Sequence, residues 1–172
     1  MPYPEPLVRP MREELTRLGV QELLDITAVD DAFEAAETET TLLIVNSVCG
    51  CAAANARPAV AMAQQSPVQP NRYVTVFAGQ DLEATARARE YLRGIPPSSP
   101  FMALLKDGDP VFILERRHIE GRSASAIAMD LVNAYQKYCG TSENAEGGPE
   151  RPEMPEMPQS SNGLPPTFKS IR

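Results

Sequence analysis

The sequence has no tryptophan, one histidine and three cysteines, and each shortage closes off a kind of chemistry. With His118 as the sole imidazole, a Ser-His-Asp triad would have to be built around that residue. Three cysteines, two of them almost adjacent, are not the framework of a secreted disulfide-rich domain. In a reducing compartment such a pair cycles or binds a metal. The metal reading lacks ligands: beyond Cys49 and Cys51 the soft candidates are Cys139 and His118, and neither stands at ligand spacing. The 10 glycines build no glycine-rich loop after a strand, which removes the usual phosphate cradle. Basic residues are too few, 16 against 23 acidic ones for a net charge of −7, to suit nucleic acid or an anionic membrane surface. The best apolar run, Leu42 to Val45, is far too short to span a bilayer. Glu5, Arg9, Arg12, Glu13, Glu14 and Arg17 leave no apolar stretch for a secretory signal, so a cytoplasmic location is expected.

What is present divides at about residue 140. Residues 140–172 hold six of the 17 prolines, repeated Glu and few large apolar side chains. They are expected to form a disordered tail behind a domain at 1–139, because such a composition cannot bury a core. Within the domain the spacing predicts a helix over 6–18, with Pro10 in its first turn or marking a break. A second, short helix follows Thr27 as N-cap and runs to about Glu37. Thr40 to Ser47 is β-branched and continuously apolar at its centre, as a buried parallel strand should be. Residues 52–65 read as helix despite Pro58, and 72–78 as a second buried strand. A helix capped by Asp81 reaches about Arg93. Residues 101–105 and 111–114 form an antiparallel pair around the turn Lys106 to Asp109. The last helix covers 123–138. A βαβ unit followed by a ββα unit gives an α/β fold of thioredoxin-like layout: a mixed central sheet of about four strands, flanked by helices, with an N-terminal helical extension.

Cys49-Gly50-Cys51 falls where a buried strand ends and a helix begins. Ligands and chemistry gather at the carboxyl ends of strands in such sheets. The unpaired N–H groups and partial positive charge of a helix N-terminus favour a thiolate, the species that attacks a disulfide. Gly50 lets the backbone bend between the sulfurs, yet closing a disulfide across one residue is demanding. An oxidising pair, or one preferring mixed disulfides with small thiols, is expected. Two inert buried cysteines are the bland alternative.

Ser99-Pro100 directly precedes the strand that begins at Phe101, the place of the cis-proline opposite the cysteines of thioredoxin-like sites. An ordinary trans-proline loop is the alternative. Asn46 and Ser47 are within reach of a thiolate or simply end the strand. Arg57, about two turns into the helix, either attracts an anionic thiol adduct or is solvated. Ser98 and Ser99 either meet a substrate or satisfy loop backbone. Pro58 is expected to kink the helix, His118 to be structural or at the surface, and Cys139 to be a terminal residue of the last helix or a regulatory thiol.

Read together, NSVCGCAAANARPA (46–59), TVFAGQD (75–81), GIPPSSPFMALLKDG (94–108) and RHIEG (117–121) resemble the bacilliredoxins, bacterial thioredoxin-like proteins with a CGC site. The segment Pro10 to Leu15 is similar as well; the resemblance covers about residues 5–139. It implies removal of bacillithiol, or another low-molecular-weight thiol, from mixed disulfides of cytoplasmic client proteins, with disulfide isomerase activity also associated with the family. By the motif match Cys49 is the attacking and Cys51 the resolving cysteine; on position alone Pro100 is expected to be the cis-proline and Ser47, Arg57 and Ser99 the substrate contacts. No tightly bound cofactor is expected: bacillithiol is the co-substrate and a small-thiol recycling system the partner. The rival class is a redox-sensing adaptor that forms a stable adduct without turnover.

Overall fold

The structure, a computed structural model, describes residues 1–140 and 149–153. In chain order it comprises α1 (Glu5–Thr16), β1 (Gln21–Glu22), α2 (Ile26–Ala35), β2 (Thr41–Asn46), a π-helical turn (Ala52–Ala56), α3 (Arg57–Ala63) and β3 (Arg72–Phe77). There follow α4 (Leu82–Tyr91), β4 (Phe101–Lys106), β5 (Asp109–Leu114), α5 (Arg116–Ile119) and α6 (Ala124–Tyr138). One mixed sheet has the strand order β1-β3-β2-β4-β5. β3 is parallel to β1 and β2, whereas β4 is antiparallel to both β2 and β5. This is the thioredoxin-like α/β arrangement, with an N-terminal helix and one strand more than expected. The extra strand, β1, has only two polar residues, so it carries no periodic signal in the sequence.

β2 is buried at all six positions because it is central and covered on both faces. Its pleat sends alternate side chains to two cores. Leu42 and Ile44 join Met102 and Leu104 beneath α1, α3 and α6; Leu43 and Val45 join Ala103 and Leu105 beneath α2 and α4. The β4–β5 hairpin turns on Asp107 and Gly108, whose φ values of 53° and 80° are both positive, as a two-residue hairpin loop matching strand twist requires.

Three local expectations need correction. The cap of α2 is Asp25, not Thr27: the Asp25 carboxylate accepts from the Ala28 N–H at 2.8 Å, leaving Thr27 inside the helix. Pro10 also lies inside α1 rather than in its first turn. Asp81 does precede α4, but its side chain makes no cap bond; Arg12 grips it in a fork at 2.7 and 2.9 Å. Arg12 also reaches Glu22 at 3.1 Å and stands 5.1 Å from the Phe77 ring centroid. α1 is thereby pinned across the carboxyl ends of the parallel strands.

The expectation of a disordered tail falls mainly on residues 141–148 and 154–172, which lie outside the described residues. Residues 149–153 run beside the free edge of β5: Ile113 N–H donates to Glu150 O at 2.8 Å and Glu150 N–H to Val111 O at 2.9 Å. Lys137 pairs with Glu150, and Arg151 stands 3.6 Å from Glu115. Among the described residues no helix is long and apolar enough to cross a membrane.

Candidate active site

β2 delivers its last residue, Asn46, to the carboxyl edge of the sheet, and four residues later the chain is helical again. Cys49 and Cys51 sit at this junction, both partly exposed and both free thiols. Their sulfurs are 2.6 Å apart. Ser47 Oγ donates to Cys49 Sγ at 3.1 Å, and the Ala52 N–H reaches the same sulfur at 3.4 Å. Among the described residues no comparable set of donors converges on Cys51.

That difference polarises the pair. Burial opposes ionisation of Cys49, but the hydrogen bonds from Cys51, Ser47 and the Ala52 and Cys51 backbone outweigh it and hold its pKa below the ordinary thiol value. For Cys51, burial comes first, and its hydrogen bond to Cys49 together with the charge there adds to it, so its pKa is raised. The positive charge of Arg116 partly opposes that rise. The two shifts run in opposite directions, so Cys49 is the first of the pair to ionise and Cys51 the one that holds its proton longer.

The helix after the pair opens with a π turn in which the Arg57 N–H bonds to Ala52 O. Pro58 lacks an N–H, so the bond it would make to the carbonyl of Ala54 is missing and the preceding turn widens. A π turn adds one residue and rotates everything after it by about 100°. Arg57 accordingly faces inward: it is 3% exposed, neither solvated nor open to an adduct. Its Nε donates to Glu14 Oε2 at 2.6 Å, and its Nη1 to Asn46 Oδ1 at 3.0 Å and to Ser47 O at 3.2 Å. Asn55 Nδ2 donates to Ile119 O at 3.1 Å, tying the π turn to α5.

Ser99–Pro100 is a cis peptide bond. The register places Phe101 opposite Val45, so the loop before β4 lies beside the carboxyl end of β2, the end from which the chain runs on to the cysteines. Ser99 is half-buried. Its neighbour Ser98 carries the clear contact, its Oγ accepting from the Arg116 N–H at 2.7 Å. Arg116 is the residue missed in the sequence: it opens α5, its charge acts on both sulfurs, and its guanidinium is 3.2 Å from Glu120. Its only signal was its place beside the segment 117–121. His118 is buried and structural, its Nδ1 accepting from the Glu115 N–H at 2.9 Å to close the cap of α5. Burial, then the charge of Arg117, depresses its pKa. Cys139 ends α6 at the far edge of the sheet, near Thr40 and Lys106.

A family model described as disulphide isomerase matches residues 3–139, ending at the last cysteine. The chain is 61% identical over 172 residues to a protein named bacilliredoxin from Salinibacter ruber, covering 99% of each. It is 48% identical over 144 residues to a bacilliredoxin of Koribacter versatilis, covering 84% of this chain and 99% of that one. It is 51% identical over 133 residues to a bacilliredoxin of Bacillus cereus, covering 77% of this chain and 91% of that one.

Proposed function

The chain belongs to the bacilliredoxin family, whose names carry a thiol–disulfide redox role, and from that premise we propose that it removes a low-molecular-weight thiol from protein mixed disulfides. The observation that carries this reading is the polarised pair: several donors converge on Cys49 and favour its thiolate, while burial and the neighbouring sulfur push the Cys51 thiol up.

In the first step the Cys49 thiolate attacks the small-thiol sulfur of a client mixed disulfide. The client's S–S bond breaks, its thiolate leaves with the electron pair, and a Cys49–small-thiol disulfide forms. In the second, Cys51 loses its proton and attacks the Cys49 sulfur. The small thiol departs as thiolate and Cys49–Cys51 closes. Arg116 favours the ionised form of Cys51 at this stage. The loop at Pro100 lies at the carboxyl end of β2, the end that leads to the cysteines, and would offer backbone to a client segment. The electrons stay in the sulfurs, so no bound cofactor takes part; bacillithiol is the proposed co-substrate, S-thiolated cytoplasmic proteins the clients, and a small-thiol recycling system the source of reductant. The same attack on a protein disulfide would serve isomerisation.

The test is turnover. A client peptide carrying bacillithiol, present in large excess over the protein together with free bacillithiol and its reductase, is expected to be cleared over many cycles. A single stoichiometric burst would instead make the protein a redox-sensing adaptor.

A further inference from the structure

The nucleophile is served by a chain of contacts that begins in α1, 35 residues upstream of Cys49. Asn46 Nδ2 donates to Met11 O at 3.3 Å, while its Oδ1 accepts from both Arg57 Nη1 at 3.0 Å and the Ser47 N–H at 2.9 Å. Arg57 Nη1 also holds Ser47 O at 3.2 Å. Both backbone polar groups of Ser47 are therefore fixed by the same pair of side chains, and the hydroxyl left over points at Cys49 Sγ at 3.1 Å. The other side of the guanidinium is gripped by Glu14, at 2.6 Å to Nε and 3.5 Å to Nη2. Asn46, Ser47 and Arg57 are 2%, 7% and 3% exposed, so the part of the network nearest the sulfur is buried and satisfied, and Glu14 grips it from the surface with its own side chain 46% exposed.

We propose that Arg57, clamped by Glu14, is a positioning residue for the nucleophile: it locks Asn46 and Ser47 so that the Ser47 hydroxyl stays aimed at the Cys49 sulfur. The proposal rests on Cys49 being the attacking cysteine. Arg57 acts here through geometry and not through its field: its guanidinium is paired with Glu14, and its link to the sulfur runs through the bonds it makes to Ser47. A Lys could supply the charge but not the fork that engages Glu14 on one side and Asn46 and Ser47 on the other. The π turn belongs to the same device, since it turns Arg57 inward.

The test measures Cys49 alkylation by iodoacetamide across pH in the full reduced chain, read by mass on the Cys49 peptide. Cys51 and Arg116, which also face this sulfur, are left unchanged in every variant. Ser47→Ala and Arg57→Gln are each expected to move the midpoint upward and slow alkylation at neutral pH about tenfold, the scale of one hydrogen bond to a charged group. Arg57→Lys is expected to rescue little. The double variant is expected to be no slower than Ser47→Ala alone. Additive losses, or an unshifted midpoint in folded Arg57→Gln, would overturn the proposal. Should Arg57→Gln fail to fold, Glu14→Gln decides by sign. Loosening the clamp raises the midpoint, whereas a field effect from the unneutralised guanidinium lowers it and refutes the proposal. Alkylation needs no client, so loss of turnover with the titration pattern intact would sink the function and spare the relay.

Discussion

The central strand has a polarised cysteine pair beyond one end and a single cysteine near the other. Beyond the carboxyl end of β2, hydrogen bonds from Ser47, Cys51 and two backbone N–H groups overcome the cost of burial and pull Cys49 below the ordinary thiol range. Near its amino end, burial of Cys139 is opposed only by Thr40 and the charge of Lys106, and the thiol is pushed up. Both residues are partly exposed and both border the same sheet. What separates them is burial, which is deeper at Cys139, and the number of donors that reach the sulfur, which is larger at Cys49 because strand and helix meet there. A cysteine's identity says little; its position at a strand-to-helix junction says most of it.

The sharpest way to break this comparison is to exchange the serines. Cys49→Ser is expected to abolish removal of a small thiol from a client peptide, while Cys139→Ser leaves the rate unchanged in the same turnover assay. Equal losses would mean that both ends take part in the chemistry. The next effect is an order of titration. Because the Cys49 pKa is lowered and that of Cys139 raised, the Cys49 thiolate persists to lower pH, and lowering pH from the alkaline side protonates Cys139 first. Alkylation profiles read peptide by peptide should therefore rise at lower pH for Cys49 than for Cys139, and coincident profiles would refute the donor argument. A third expectation concerns the pair alone. Donors that stabilise the thiolate stabilise the reduced protein, and a ring closed across one residue disfavours the disulfide, so equilibration with defined thiol buffers should give a potential nearer to about −180 mV than to about −270 mV.

The smallest effect concerns the sheet edge. Removing residues 141–172 deletes two backbone hydrogen bonds to β5 and the contacts of Lys137 and Arg151. A loss of about 1 kcal/mol is expected in denaturant unfolding, with thiol exchange unaffected. A fall in exchange rate would connect the β5 edge to the redox end through Glu115, which Arg151 approaches and which caps α5.

The chain exposes well which features a sequence reveals. β2 was legible because burial on both faces leaves a run of β-branched and apolar residues, and the cysteine pair and Pro100 were legible because each is fixed by its distance from a strand end. The two-residue β1 was not, since Gln21 and Glu22 pair with β3 through backbone alone. The cap of α2 was misplaced because Asp25 and Thr27 are both good caps, and only the direction of the Asp25 carboxylate decides. Arg57 was read as a surface cation for a simple physical reason. Its burial depends on a π turn that shifts helix register by one residue and on Glu14, 43 positions earlier, and neither leaves a periodic mark. Arg116 was missed likewise, because its effect on the sulfurs arises from the packing of α5 beside the Ser98 loop.

The most direct measurement is trapping in Cys51→Ser. Incubated with a client peptide carrying a small thiol and then digested, this variant is expected to carry one adduct of the small thiol's mass, on the peptide containing Cys49, with one equivalent of client thiol released. An adduct on Cys139 instead, or trapping by Cys49→Ser while Cys51→Ser remains bare, would contradict the assignment of Cys49 as the nucleophile.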